Sequence, residues 1–503
     1  MKKRLCALTA AALGLAVLLS GCQSAVTAGT PASSAASQSA ASDMTLSVAW
    51  TGTGTNPYLA DDLLTRQNAT LLFEPLVAIS PEMELEQRLA LSIDNSGTTV
   101  TIQMRSGCYF ANGAEITAED AAASLRAACA STAYSGRFTN VQDITVQGTA
   151  VCVTLAAPDS LFAYLLDIPV IRADEISLAQ PTASGRYTYG GDGVLVKNER
   201  APFPEEGGPA TIQLVQATTT DALVSGLAKG EIDLYATAED ADGTATINTT
   251  ASYYRTNCLV FLGINAYADN PLCSTPAGRA LLSALCDRNA LCSQSYSGQG
   301  YAATGAINSL YPIVKGRQQI LAVADTSTLD TVMAQLGYTK DEDTGLYQDA
   351  RHQLAAVSLL VNGANSYKRA AAYQLQQQWQ DAGIQVNVTE AATYEDYLTA
   401  VHAGQFELYI GETKLYNNIE LSPFWSGEAS YGLAPSETLL AAYDAFRLNA
   451  GTAADFEAAF AAEMPYIPLL WHSGTVVTSR RVSGITASLS SIFYSLGDMH
   501  ISE

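Results

Sequence analysis

The residues best suited to binding chemistry follow a predicted buried strand late in the chain. Leu408 and Ile410 alternate as in a strand, and charged residues come directly after it, first Glu412 and then Lys414. Open α/β folds hold ligands at the carboxyl ends of their strands. A carboxylate and an ammonium group at such a place predict a site for the charged groups of a small ligand. The alternative is an exposed pair on the rim of a cleft, where an ion pair contributes little.

Aromatic and amide side chains supply the rest of the predicted site. The chain has 25 tyrosines, and Tyr and Trp combine an apolar body with a polar tip, which suits a cleft that accepts varied ligands. Most of these residues are expected in the core or on the ordinary surface. The further candidate ligand-binding residues are Asn56, Tyr58, Tyr416, Asn417, Trp425 and Trp471.

The chain carries no recognisable catalytic or metal-binding motif. Its four histidines, at positions 352, 402, 472 and 500, lack the spacing of a zinc-binding helix. Neither a G-x-S-x-G elbow nor a phosphate-binding P-loop occurs. The acidic run at 340–345 has the wrong spacing for a calcium loop, and it predicts a solvated turn. We therefore expect a binding protein with no catalytic residue, no metal and no cofactor.

Length and charge set the class of the molecule. A chain of 503 residues is too long for one ordinary core and predicts two to four structural units. Hydrophobic residues make up 48% of it, which is typical of a globular protein. The formal net charge of −23 argues against nucleic-acid binding, because that function needs a basic surface. A local site can still have the opposite sign.

The first 43 residues predict export and anchoring. Lys2, Lys3 and Arg4 precede a short apolar run, the pattern of a signal peptide over residues 1–21. The word Leu19-Ser20-Gly21-Cys22 resembles the lipobox of bacterial lipoproteins, in which the cysteine is lipidated. Residues 22–43 predict a flexible linker, so the folded body begins near Met44. We expect an exported protein held by lipid at the outer face of the cytoplasmic membrane; a plain secretory signal is the alternative.

Seven cysteines remain after Cys6 and Cys22 are set aside. An odd number in an exported protein cannot all pair, and no C-x-x-C spacing occurs. Buried single thiols that act as small hydrophobes are therefore expected, with one disulfide left open.

Periodicity predicts how the folded body is built. A strand with Val100, Ile102 and Met104 facing inward precedes a helix that Thr117 and Asp120 start as a capping box. A hairpin follows over residues 144–155. Two strand–helix–strand units lie further on. The first has strands at 211–217 and 232–235 and a helix capped by Thr218. The second has strands at 354–361 and 384–388 and a helix at 366–381.

Several phrases of the sequence resemble one family. They are LFEPL (72–76), MRSGCYFANGAEITAEDAAASL (104–125), LVSGLAKGEIDL (223–234) and AGRALLSALCDRNALC (277–292). Phrases of this kind, in this order, are similar to those of the family 5 extracellular solute-binding proteins of peptide and nickel import systems. The resemblance covers nearly all of the chain after the signal.

This resemblance implies an α/β, bilobal periplasmic-binding-protein-like fold of type II, in the large peptide-binding class, with an extra subdomain in the N-terminal half. Lobe I is then expected at 44–76, 167–262 and 475–503, its extra subdomain at 77–166, and lobe II at 263–474. The chain is expected to cross between the lobes at Leu259–Asn265, with Gly263 and Asn265 in the hinge. The implied function is a monomer that captures short peptides by hinge closure and delivers them to the permease subunits of an ABC transporter.

The chain departs from the family at one informative place. Peptide binders of the family often carry a phrase whose Asp holds the peptide amino terminus, whereas this chain reads GETKLYNNIELSPFW at 411–425. Glu412 would substitute for that Asp, and Lys414 would face a carboxylate. A nickel chelate, a glycan or another solute in the same cleft, a ligand-sensing lipoprotein, and an exported hydrolase with a dispersed dyad are the alternatives.

Overall fold

The computed structural model describes residues 44–237, 249–316, 321, 326–425 and 435–502. The predicted signal peptide, Cys22 and the linker lie outside the described residues. Residues from 43 onward group into one compact unit. None of the helices among the described residues combines the length and the hydropathy of a membrane span.

The strands of the described residues are β1 (Thr45–Trp50), β2 (Val77–Ile79), β3 (Leu85–Gln87), β4 (Ala90–Ser96), β5 (Thr99–Met104), β6 (Val141–Gln147), β7 (Ala150–Leu155), β8 (Tyr187–Gly191), β9 (Val194–Lys197), β10 (Thr211–Gln216), β11 (Leu234–Ala236), β12 (Thr249–Ile264), β13 (Gly300–Ala302), β14 (Thr339–Lys340), β15 (Tyr347–Gln348), β16 (Ala356–Asn362), β17 (Gln385–Ala391), β18 (Leu408–Lys414), β19 (Tyr466–Ser479), β20 (Val482–Ser483) and β21 (His500–Ile501).

The α-helices of the described residues are α1 (Leu63–Leu72), α2 (Ala118–Ala130), α3 (Thr220–Lys229), α4 (Pro271–Ser274), α5 (Pro276–Ala284), α6 (Arg288–Ala290), α7 (Thr326–Gln335), α8 (Ser366–Asp381), α9 (Tyr394–His402), α10 (Glu437–Leu448) and α11 (Ala453–Glu463).

One mixed sheet of eleven strands runs through the whole body. Its order is β17-β16-β18-β12-β19-β11-β1-β10-β9-β8, and β13 pairs with β19 beside this path. The two longest strands, β12 and β19, lie antiparallel at its centre. Their pairing is irregular between Tyr254 and Cys258, where the ladder shifts register. The chain therefore passes between the two ends of the sheet along one long ribbon that has a bulge in the middle.

Two large hydrophobic cores lie on the two sides of that bulge, and a third, small cluster packs around Leu227 and Val477. Core I contains buried residues between 46 and 236, Tyr254, and residues from Val476 to Met499. Core II contains buried residues from Leu259 to Trp471, together with Ile79, Met83, Leu161 and Tyr164. We call the parts packed around them lobe I and lobe II. Residues 259–262, which the sequence analysis assigned to lobe I, pack in core II, because β12 changes cores at the bulge.

Both predicted strand–helix–strand units are present. In the first, β1 lies between the parallel strands β10 and β11. Its helix α3 begins one residue later than predicted, because Thr219 rather than Thr218 accepts the bond from the Ala222 amide. In the second, β16 and β17 pair in parallel, and α8 has the predicted bounds, with Asn365 as its N-cap.

The extra subdomain is built on a separate antiparallel sheet, in the order β4-β5-β7-β6. Helix α2 packs on it and starts with the predicted capping box of Thr117 and Asp120. The loop after β7 leaves this subdomain and enters the other lobe, where Leu161 and Tyr164 pack in core II. The subdomain thus contacts both lobes.

Candidate functional site

A cavity of about 300 Å³ lies between the two lobes. One wall comes from lobe I, through helix α1, residues 133–137, residues 167–169 and residues 488–492. The other comes from lobe II, through residues 414–417, which follow the buried strand β18. We call this space the interlobe cavity. Its lining residues are Leu63, Arg66, Gln67, Thr70, Ala133, Tyr134, Arg137, Asp167, Pro169, Tyr254, Lys414, Leu415, Tyr416, Asn417 and Ser488–Ile492.

Three of the predicted site residues line the interlobe cavity: Lys414, Tyr416 and Asn417. Asn417 reaches across to lobe I, where its Nδ2 donates to Asp167 at 3.2 Å. Its Oδ1 accepts from Asn257 at 3.4 Å. The strand-end position therefore places these side chains at the boundary of the two lobes, as the sequence argument for open α/β sheets expects.

Charge within the cavity runs opposite to the net charge of the chain. Arg66, Arg137 and Lys414 line it, against the single carboxylate of Asp167. The guanidinium of Arg137 already has partners within the protein: it forms an ion pair with Asp167 and donates to Leu165 O at 2.8 Å. Arg66 donates to Ala60 O at 3.4 Å, and no carboxylate oxygen of the described residues lies within 4.0 Å of it.

Helix α1 also contributes Gln67 to the wall. The Oε1 atom of Gln67 is buried, and among the described residues it has no hydrogen-bond partner. Neither Arg66 nor Gln67 was among the predicted site residues. The available signal was the polar residues at positions 66, 67 and 70 on one face of a short helix. Periodicity reveals that they share a face but not what that face contacts.

Glu412 lies inside lobe II, and its side chain is 4% exposed. It accepts from His472 Nδ1 at 2.7 Å and pairs with Lys368 Nζ at 2.9 Å, and Cys258 Sγ lies 3.4 Å away. Burial by itself raises the pKa of Glu412, but the hydrogen bond from His472 and the charge of Lys368 outweigh it and lower the pKa to about 2. The alternative of an exposed pair is therefore wrong for Glu412, whose carboxylate is buried, whereas Lys414 is exposed. In this structure the ammonium group that pairs with Glu412 belongs to Lys368 of the protein, in the role that was predicted for a ligand ammonium.

Asn56 and Tyr58 lie behind the cavity wall. The Asn56 amide donates to Ile176 O and Leu178 O, both at 2.9 Å, and its Oδ1 accepts from the Tyr58 amide. The Tyr58 hydroxyl donates to the carbonyl of Pro169, a cavity-lining residue. Both side chains are buried. These bonds support the wall, and a direct contact with ligand stays a prediction.

The two predicted tryptophans pack in lobe II, away from the cavity. Trp471 is buried in β19, opposite Leu259. Trp425 packs edge-on against Tyr443, with ring centroids 5.0 Å apart. Neither lines the interlobe cavity. Their ligand-binding role stays a prediction that would require another arrangement of the lobes.

The predicted hinge residues lie beyond the bulge of β12. The ring of Tyr409 on β18 occupies the place where a Cβ at position 263 would be. Close packing against this ring therefore explains why the residue is a glycine. The Asn265 amide donates to Phe406 O at 3.1 Å. Their role in a hinge motion stays a prediction.

Further polar contacts join the lobes beside the cavity. The buried Asp159 of the extra subdomain pairs with Arg447 of lobe II at 2.7 Å and accepts from Asn418 at 2.6 Å. The Ser160 amide donates to Arg447 O at 2.9 Å. This ion pair holds the subdomain against lobe II.

The described residues offer no sign of redox or metal chemistry. The seven cysteines from Cys108 onward are free thiols, at least partly buried. Burial raises the pKa of Cys273 to about 12 and those of Cys286 and Cys292 to about 11, which keeps these thiols protonated at neutral pH. No group of three or more possible metal ligands occurs among the described residues.

Comparison with known proteins identifies the family. Residues 83–423 match the model of the bacterial extracellular solute-binding proteins, family 5. Over 154 residues the chain is 29% identical to the glutathione-binding protein GsiB of Shigella flexneri, and the match covers 29% of each protein. The chain thus spans less than a third of the length of the curated relatives it matches.

Solved structures extend the likeness to the fold of the whole body. A nickel ABC transporter protein from Bacillus halodurans superposes with a TM-score of 0.73 at 16% identity, over 91% of this chain and 100% of that one. The oligopeptide-binding protein AppA of Bacillus subtilis, solved with a nonapeptide, gives 0.55 at 15% identity, over 91% and 99%. These likenesses confirm the predicted bilobal binding-protein fold, and with the match to the family model they identify the chain as a member of the family 5 bacterial extracellular solute-binding proteins.

Proposed function

We propose that this protein is the substrate-binding lipoprotein of an ABC importer that captures short peptides between its lobes and delivers them to a membrane permease. The observation that carries the proposal is the interlobe cavity, whose walls come from both lobes and present Arg66, Gln67, Lys414, Tyr416 and Asn417. Relatives that bind glutathione and a nonapeptide support peptides as the class of solute.

Binding would proceed by rotation of the lobes about the central ribbon. β12 and β19 are the strands that pass between the cores, and their register shifts between Tyr254 and Cys258. A bulge interrupts the ladder and is a place where the backbone can bend at low cost. We therefore infer a hinge at this bulge; Gly263 and Asn265, which the sequence predicts as hinge residues, are the alternative. Asn417 already donates to Asp167 across the boundary, so opening of the lobes would break this bond and closure around the ligand would restore it.

Several further features belong to the same proposal. Cys22 would carry the lipid and hold an exported monomer at the outer face of the cytoplasmic membrane. The protein would bind no nucleic acid and no cofactor, and it would catalyse no reaction, since the sequence has no recognisable catalytic motif.

A second candidate is a nickel chelate in the same cavity. The likeness to the Bacillus halodurans nickel transporter protein favours it, and Arg66 would suit the carboxylates of a chelator. Glycans, a sensing role without transport, and exported hydrolysis have no observation of their own in their favour.

Native mass spectrometry of the purified protein, followed by calorimetry with tripeptide mixtures, tests the proposal. We expect the native protein to hold one peptide per chain. Denaturation should release this peptide, and the released peptide should be uncleaved. Binding of nickel–histidine but of no peptide would favour the second candidate. Cleavage of the peptides would favour a hydrolase.

A further inference from the structure

We propose that a contact between the extra subdomain and lobe II keeps the interlobe cavity closed without ligand, and so limits how fast a ligand enters and leaves. This contact, which we call the clasp, consists of Asp159, Leu161, Tyr164, Asn418 and Arg447. None of these residues lines the interlobe cavity. The inference rests on the proposed function, and it concerns the kinetics of binding rather than the contacts that a ligand makes.

The polar centre of the clasp is closed to water. The side chain of Asp159 is 1% exposed and that of Arg447 is 10% exposed. The Asp159 Oδ2 atom accepts from Arg447 Nη2 at 2.7 Å and from Asn418 Nδ2 at 2.6 Å, and its Oδ1 accepts from the Leu161 amide at 3.0 Å. Charge-assisted hydrogen bonds are roughly twice as strong as neutral ones. Because every partner here is a protein group, no ligand is needed to complete the contact.

Apolar side chains extend the same contact. Leu161 and Tyr164, in the loop after β7, are buried in core II. The ring of Tyr164 lies 5.2 Å, centroid to centroid, from the ring of Tyr311 in lobe II. Ile79 and Met83 of the subdomain are also buried in core II. Separating the subdomain from lobe II would therefore return apolar surface to water, which is unfavourable.

The extra subdomain is at the same time attached to lobe I. Val100 and Ile102 of its strand β5 are buried in core I, together with Leu46 of β1. Since the subdomain is packed on core I and bonded to lobe II, a rotation that separates the lobes has to break the clasp. Across the cavity itself, the bond from Asn417 to Asp167 is longer, at 3.2 Å. The clasp is therefore the main protein contact that opposes opening.

The position of the clasp outside the cavity determines its kinetic effect. It stabilises the closed state equally with and without ligand, so it shifts both closing equilibria by the same factor. A ligand enters and leaves through the open state. Weakening the clasp should therefore raise the association and dissociation rate constants together and leave Kd nearly unchanged. Loss of a residue that contacts the ligand would instead act mainly on dissociation and would change Kd.

Stopped-flow tryptophan fluorescence with trialanine as the probe measures both rate constants. The variants are Asp159→Asn, which keeps the size of the side chain and removes its charge, and the milder Asn418→Ala. Glu84→Gln is the matched control, because the pair of Glu84 with Lys315, at 3.1 Å, joins the same two parts of the molecule but is exposed. Circular dichroism and thermal unfolding confirm that each variant is folded.

We expect Asp159→Asn to raise both rate constants about tenfold while Kd changes by less than about threefold, since a hydrogen bond to a charged group is lost. Asn418→Ala should act in the same direction and less strongly. The control Glu84→Gln should stay within about twofold of the wild type, because exposed ion pairs contribute little. Without ligand, a double variant with Asp159→Asn and Tyr164→Ala should have a larger radius of gyration than the wild type in small-angle scattering.

Unchanged rate constants in Asp159→Asn, with an unchanged radius of the ligand-free double variant, would overturn the clasp and leave peptide binding intact. A rise of the dissociation rate constant alone would also overturn it, because the clasp would then form only after the ligand binds. Failure of the wild type to bind trialanine and mixed tripeptides would overturn the proposed function. Scattering of the ligand-free double variant would then decide on the clasp by itself.

Discussion

Replacing Glu412 tests whether this carboxylate serves the fold or the ligand. In the structure it is the common partner of Lys368 and His472 inside lobe II. Glu412→Gln keeps the size of the side chain and removes its charge. Lys368, whose side chain is only 14% exposed, would then be left without its carboxylate. An uncompensated buried charge is the costly result of breaking such a pair.

The expected loss can be worked out from the pKa. The pKa of Glu412 falls from an ordinary value of 4.5 to about 2, and each pKa unit corresponds to about 1.4 kcal/mol, so the interactions stabilise the fold by about 3 kcal/mol. Breaking one partner of a buried ion pair costs about 3–5 kcal/mol in other proteins. We therefore expect Glu412→Gln to lower the free energy of unfolding by about 3 kcal/mol.

Urea unfolding, monitored by tryptophan fluorescence, measures this loss. The control is Glu395→Gln, because Glu395 is exposed. Because the folded pKa of Glu412 is depressed, its contribution is complete above about pH 4.5 and is lost as the pH falls toward 2. The difference between wild type and Glu412→Gln should shrink over that interval. In a double-mutant cycle, adding Lys368→Met to Glu412→Gln should restore part of the stability.

Two results would refute this reasoning. A loss below about 1 kcal/mol at neutral pH would show that the buried network does not support lobe II. A variant of unchanged stability that binds free peptides ten- to a hundredfold more weakly, but amino-acetylated peptides equally well, would instead assign Glu412 to the ligand ammonium.

Three further perturbations test other parts of the molecule. Asp159→Asn should lower the free energy of unfolding by about 1–3 kcal/mol, since it removes the closest carboxylate from the buried Arg447, which keeps Glu420 at 3.4 Å; no measurable loss in urea unfolding would contradict this. Gly263→Val should cost at least about 1–3 kcal/mol, because its side chain would enter the space of the Tyr409 ring; an unchanged melting temperature would argue against that packing. Cys22→Ser should abolish lipidation and membrane attachment, and an acylated, membrane-bound variant after fractionation would exclude the lipobox.

The sequence alone determined the local elements and the family. The capping box of Thr117 and Asp120 and the bounds of helix α8 were predicted correctly, because caps depend on residues within about four positions of each other. The alternation of apolar and polar residues also predicted strand β5 correctly, since one face of that strand is buried. Where two adjacent threonines could cap α3, local rules did not distinguish Thr219 from Thr218.

Only the tertiary structure decided which side chains line the interlobe cavity. Glu412 and Lys414 are two positions apart on one strand, yet the first is buried with Lys368 and His472 and the second lines the cavity. His472 is 60 residues away in the chain, so no local pattern reports that bond. Arg66 belongs to the site for the same reason: the packing of α1 on core I turns its polar face toward lobe II. Periodicity determines which residues share a face, but long-range packing determines what that face meets.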